Sequence, residues 1–136
     1  MYDSKGIGLA AVQVGILKRI LVIDISNKDE KKKPLSLINP VIKKVSNETS
    51  IYEEGCLSIP DTFIEVERPK ICEVEYIDID GKIKSLKCGG LLSTCIQHEI
   101  NHLDGKLIID HLSKLKRDIL IKKISKFKKN PNRIIV

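Results

Sequence analysis

The 136-residue sequence has no tryptophan, two phenylalanines and three tyrosines. With aromatics at 4%, it is poorly equipped to stack on nucleobases, which argues against a nucleic-acid platform. No apolar run approaches the ~18 uncharged residues that mark a membrane span. The opening residues, MYDSKGIG, lack the apolar stretch of a secretory signal. The four cysteines, Cys56, Cys72, Cys88 and Cys95, form no CxxC pair, which argues against a zinc ribbon or a thioredoxin-type site. A reducing, intracellular setting is therefore expected, where each cysteine is by default a small buried apolar residue. Histidine occurs three times, and no glutamate follows residue 102.

Apolar residues make up 42% of the chain and charged residues 31%, the balance of a soluble globular domain. The length fits one domain, and a chain of this size buries roughly two-thirds of its unfolded surface. The net charge of +6 is unevenly placed. Residues 113–136 hold nine of the 24 bases and one of the 18 acids, a local net of +8. The other 112 residues then carry 15 bases against 17 acids, a net of −2. A mildly acidic body at 1–111 is thus followed by a basic helix and tail at 112–136 within the same domain.

Hydrophobic patterning predicts strands at 19–25 and 37–45, the second bent or at a sheet edge because Pro40 cannot donate to a ladder. Residues 53–60, EEGCLSIP, read as a short irregular stretch. Alternation marks 63–67, and Asp80-Gly81 between the runs 71–79 and 82–88 signals a hairpin. Residues 89–105 read as a helix with glycine at both ends, and 112–129 as a second helix, stopped near Asn130-Pro131. Strands followed by helices predict an α+β fold.

The strongest chemical signal is His98-Glu99-Ile100-Asn101-His102. Two histidines at i and i+4 lie one helical turn apart, with Cβ atoms about 6 Å apart, so both imidazoles can reach one metal ion. Glu99 sits about 100° round the helix, placed to act as general base beside that ion rather than as a third ligand. Leu91, Cys95, His98 and His102 share one face, which predicts that the histidines point inward.

The third ligand is not the histidine of an HExxHxxGxxH pattern. Gly105 falls in place, but Ile108 occupies the third position and His111 comes three residues late. A later glutamate is absent, which leaves the cysteines. Cys72 and Cys88 fall in hairpin strands and read as packing, and Cys95 reads as a pocket wall. Cys56 lies in the glycine-containing irregular stretch, from which a side chain can project into a cleft. A Cys-His-His set with an open fourth position is a catalytic layout.

A further motif is Gly6-Ile7-Gly8-Leu9-Ala10-Ala11-Val12-Gln13. It matches GxGxxA formally, but only five residues precede it and no βαβ unit follows, so a dinucleotide site is not expected. Backbone left open to a ligand, with Gln13 offering a side-chain donor, is the better reading.

Taken together, GIGLAAVQ at 6–13, EGCLSIP at 54–60 and QHEINHLDG at 97–105 resemble the peptide deformylases, metal hydrolases that remove the formyl group from the N-terminal methionine of new bacterial and organellar proteins. The resemblance runs from residue 1 to about residue 129. It implies antiparallel or mixed sheets around the HExxH helix. It also implies Cys56, His98 and His102 as metal ligands, Glu99 as proton shuttle, and Gln13 with the Leu57 N–H as an oxyanion hole. Peptide pairing would use backbone at Ile7, Gly8 and Gly55, with Ile7, Leu91 and Cys95 walling the methionine pocket. The implied metal is Fe(2+) in the cell, replaceable by Zn(2+), Ni(2+) or Co(2+). Nascent formyl-methionine polypeptides are the implied substrates, and the cytoplasm the implied location, with an organelle also open.

Three departures from the family pattern stand out. Val12 replaces a usual proline, Asn101 replaces a usual aspartate, and the helix and strand that usually precede the glycine motif are missing. A chain without them is expected to be less stable than a longer version. The resemblance further suggests that the basic helix docks on the ribosome near the exit tunnel; DNA and membranes are not expected partners. The alternatives are a catalytically weak or inactive family-like protein that binds metal or ribosomes, and an HExxH peptidase.

Overall fold

A computed structural model describes residues 1–128, apart from the side chains of Pro60, Phe127 and Lys128. Seven strands precede two helices, the expected α+β order: β1 (Gly8–Ala10), β2 (Ile20–Ile23), β3 (Leu35–Val45), β4 (Thr49–Cys56), β5 (Ile59–Pro69), β6 (Ile71–Ile77), β7 (Ile83–Gly89), α1 (Gly90–Leu103) and α2 (Lys114–Lys128). Single 3-10 turns lie at Tyr2–Ser4, Ala11–Val14 and Ile108–His111. A five-stranded sheet runs β1-β2-β3-β6-β7, and β4 and β5 form a separate hairpin. Every described pair is antiparallel.

The period-2 pattern sets which face is buried. On β6, Cys72, Val74 and Tyr76 point inward while Ile71, Glu73 and Glu75 do not. Asp78 fixes the β6–β7 turn by accepting the Asp80 and Lys82 N–H groups at 2.9 Å each, and Gly81 takes the left-handed conformation at φ 79°. A main core of Leu21, Ile23, Leu37, Cys72, Val74, Cys88, Ile96 and Ile100 joins the sheet to α1. A second core, Ile59, Ile64, Val66, Ile108 and Ile109, lies against the hairpin.

Two local readings are refined and one is corrected. The glycine motif is the edge strand β1 followed by a 3-10 turn, which leaves one side of its backbone outside the sheet, in keeping with the expected open backbone. Pro40 lies in β3, which is central rather than at an edge, between β2 and β6. It sits where the β3–β6 register shifts between Ile38 and Val41, beside Asn39 at φ 50°, so the bend was read correctly and a bulge accommodates the missing donor. EEGCLSIP is the tip of a hairpin: Glu54 and Cys56 end β4, and Ile59 starts β5.

The apolar residues on and just before α2 divide between a packed side and an exposed one. Leu112, Leu120 and Ile124 pack toward the second core, whereas Leu115 and Ile119 are 71% and 59% exposed. Residues five apart, such as Leu115 and Leu120, stand about 140° apart round a helix, too far for one buried face. The side chain of Phe127, the predicted end at residue 129 and the tail 130–136 lie outside the described residues.

Candidate metal centre

Three elements meet at one cleft of about 690 Å³. α1 contributes from within the fold: Cys95, His98, Glu99 and His102 are all buried. The helix follows β7 through Gly89 in extended conformation and Gly90 at φ 59°, and ends at Asp104 and Gly105, the latter at φ 76°. The hairpin contributes Cys56, at the end of β4. Between Gly55 and Cys56 the pairing shifts from Phe63 to Ile59, and the shift turns the chain at the cysteine. The strand β1 and the turn after it contribute Gly8 and Gln13.

The Cys56, His98 and His102 ligand atoms lie within 4.8 Å of one another. Cys56 Sγ is 3.2 Å from His102 Nε2, which is 3.1 Å from His98 Nε2. A soft sulfur and two imidazole nitrogens aimed at one point are a donor set suited to iron or zinc. His98 Nδ1 contacts Glu54 Oε2 at 2.8 Å, an arrangement that leaves Nε2 to face the other two donors. Burial works against a charged Cys56, but the His102 and His98 rings and the Ser58 N–H lower its pKa to about 5, which favours the thiolate a metal needs. The donor set therefore fits a divalent ion. His111 is exposed and outside this cluster.

Glu99 occupies the same cleft. Burial is the main cause that raises its pKa to about 7, opposed by the two histidines, and its Oε2 has no hydrogen-bond partner. Gly8 is the reason there is room: a Cβ there would stand 2.6 Å from Glu99 Oε1. Gly6 and Gly55 are similarly covered, a Cβ on each falling 2.7 Å from Leu57 and 2.8 Å from Phe63. At each of these glycines a neighbouring side chain fills the space that a Cβ would need. Gln13 folds back to accept the Ala10 N–H at 2.8 Å and donates from Nε2 to Ser58 Oγ at 3.0 Å, beside Cys56 Sγ at 3.9 Å. Ile7, Leu57, Leu91 and Cys95 line the cleft. Burial pushes the Cys95 thiol up to about 12, so it serves as apolar wall. Leu91, read as facing inward, is 45% exposed at the mouth.

One part of the site was not anticipated. Arg68 is buried on β5 and donates to both oxygens of Glu54, at 2.6 and 3.0 Å, and to Asn101 Oδ1 at 2.7 Å. The chain Asn101–Arg68–Glu54–His98 ties the hairpin to α1 through buried groups. The sequence does carry a signal for it: Ile64 and Val66 set the inward positions of β5, and the next inward position is an arginine.

A sequence model of the polypeptide deformylase family matches residues 1–118. The chain is 60% identical over its whole length to the peptide deformylase of Pelagibacter ubique, covering 78% of that protein. It is 57% identical over 126 residues to that of Agrobacterium fabrum, covering 93% of this chain and 74% of the relative. Its fold superposes on the crystal structure of peptide deformylase from Ehrlichia chaffeensis with a TM-score of 0.88 and 41% identity, over 96% of this chain and 78% of the other.

Proposed function

The chain belongs to the polypeptide deformylase family, and from that premise we propose how its own residues carry the reaction. It is a hydrolase that removes the N-terminal formyl group from newly synthesised polypeptides. The observation that carries the assignment of residues is the convergence of the Cys56, His98 and His102 donors beside an unpartnered Glu99 oxygen.

Cys56, His98 and His102 hold one divalent ion, with Glu54 and Arg68 orienting His98. Ferrous iron suits the thiolate, with zinc, nickel or cobalt as replacements. When bound, such an ion acts as a Lewis acid that makes hydroxide available near neutral pH. Glu99 takes the proton of the attacking water and hands it to the leaving amine; a carboxylate held near pH 7 is matched to both transfers. Gln13 Nε2 and the Leu57 N–H donate to the oxyanion that develops on the formyl oxygen, each fixed donor being worth about 2.7–4 kcal/mol. The peptide main chain lies between Ile7-Gly8 and Gly55, which line the cleft on its two sides. Its methionine side chain enters between Ile7, Leu91 and Cys95.

The test is formate release from formyl-Met-Ala-Ser by nickel-loaded or anaerobic iron-loaded protein, compared with Glu99→Ala, with metal content measured for both. Turnover by the parent and its loss in a variant that still binds metal is the expected result. Unchanged turnover in the variant would remove Glu99 from the mechanism.

We also propose that α2 docks on the ribosome in the cytoplasm. Lys114, Lys116, Lys122, Lys123 and Lys126 are exposed along it, and no described helix is long and apolar enough to cross a membrane. Binding to ribosomal RNA through these lysines falls steeply with salt. Co-sedimentation with ribosomes that survives deletion of residues 113–136 overturns this.

A further inference from the structure

One reactive pair in the interior has no part in the deformylation chemistry. Cys72 on β6 and Cys88 on β7 stand directly opposite in the antiparallel register, with Sγ atoms 3.6 Å apart. Both belong to the main core; Cys72 is fully buried and Cys88 is 8% exposed. Cys88 Sγ also lies 3.7 Å from the Cys72 carbonyl oxygen. The Cys88 thiol and then the Ser93 hydroxyl favour the thiolate at Cys72, while Cys88 is held protonated by its partner.

Directly opposed residues in antiparallel strands keep their Cβ atoms about 4.5–5.5 Å apart. A disulfide wants about 3.5–4.5 Å and a fixed dihedral near ±90°. The two thiols can therefore bridge after side-chain rotation and a small closure of the strands. The bond would carry strain, and strained disulfides are the readily reduced ones. β7 is an edge strand of the five-stranded sheet, so a small oxidant has one strand to pass.

We propose that Cys72 and Cys88 are a redox modification site, a dithiol that hydroperoxides convert into a cross-strand disulfide and small thiols convert back. Hydrogen peroxide takes two electrons from one sulfur, giving its sulfenic acid and water. The second thiol displaces the sulfenic oxygen as water, so two thiols and one peroxide give one disulfide and two waters. Two molecules of a small thiol restore both cysteines and leave as their own disulfide. The site bears on the metal-bearing helix because Gly89, the residue before α1, follows Cys88 directly, and Ser93 in the first turn of α1 lies beside Cys72.

The experiment treats the metal-loaded, full-length protein with graded hydrogen peroxide. The protein is then denatured in excess N-ethylmaleimide and digested without reduction for mass spectrometry. The expected product is a peptide pair joining Cys72 to Cys88, two hydrogens lighter than the sum of its parts and lost on treatment with glutathione before blocking. A Cys88→Ser variant should give no such pair and keep its metal content. The proposal is overturned if Cys72 and Cys88 both still take maleimide at doses that oxidise Cys56. It is equally overturned if they oxidise separately to sulfinic acids, or if the bridges formed exclude either of them. The decisive measurement is on the parent protein, so it stands whether or not the variant folds.

Discussion

The core under the five-stranded sheet and the core under the β4–β5 hairpin are packed to different standards. In the first, Ala10, Leu21, Leu37, Cys72, Val74 and Ile96 have no exposed surface. Tyr76, Cys88, Cys95 and Ile100 of that core keep 6–8%; in the second and smaller core Val66 and Ile108 keep 1–2% and Ile59, Ile64 and Ile109 keep 8–9%. The tighter core fixes α1, and with it His98, Glu99 and His102. The looser one carries Glu54, Cys56 and Arg68, which act only when the hairpin is docked. The proposed chemistry lies along the seam between them, where Glu54 and Arg68 pair within the hairpin and each also meets α1 across the boundary, at His98 and Asn101. The difference teaches that this site depends on docking as much as on folding.

The largest effect should come from the group with no structural partner. Glu99→Ala is expected to cut formate release by roughly 10²–10⁴-fold. Its melting temperature should stay level or rise, because a buried, unpartnered carboxylate oxygen is removed. A sharply lower melting temperature would mean that Glu99 belongs to the fabric of the seam. Arg68→Ala tests the seam directly. It strands Glu54 in the interior, and breaking a buried pair of this kind costs about 3–5 kcal/mol in denaturant titration. A loss below about 1 kcal/mol, the value of an exposed pair, would show that the hairpin docks without it.

Next in size are paired truncations of the two cores. Ile96→Ala should fall near the top of the range of about 2–5 kcal/mol, and Ile64→Ala near the bottom, because the looser site is already partly open to solvent. Equal losses would erase the distinction between the cores. On the sheet side, Asp24 accepts hydrogen bonds from Ser26, Tyr2 and Lys33, and those from Ser26 and Tyr2 lead in lowering its pKa to about 2. A depressed carboxylate stabilises the fold above its unfolded value near 3.9 and loses that contribution as pH falls toward 2. Melting temperature should therefore drop between pH 4 and pH 2, and the drop should be smaller in Asp24→Asn. The smallest effect belongs to the exposed face of α2: Ile119→Ala should change stability by no more than about 0.5 kcal/mol.

The sequence was most legible where one local rule governs. The i, i+4 histidines, the Asp-Gly turn and the glycine-bounded helix depend on neighbours in the chain, and each lies where the pattern put it. The β4–β5 hairpin was less legible. Its tip, Leu57-Ser58, has no glycine or proline between the strands, and the Gly-Cys step that reads as loop is a register shift within a ladder. The burial of Arg68 was hidden for another reason: it is tolerated only because Glu54 and Asn101 converge on it from other elements. In α2, helical spacing says which residues share a face but not which face meets a neighbour.

The geometry of the three ligands can also be viewed as polymer topology. Cys56 belongs with the hairpin and His102 with the other half, 46 residues later. An ion held by both closes that stretch into a ring, as a disulfide would. A cross-link over a loop of this length is worth roughly 4 kcal/mol in lost freedom of the unfolded chain. An ion held by the proposed ligands would then also be a removable rivet: a chelator that takes it away should unfasten the hairpin from the helix before either core melts.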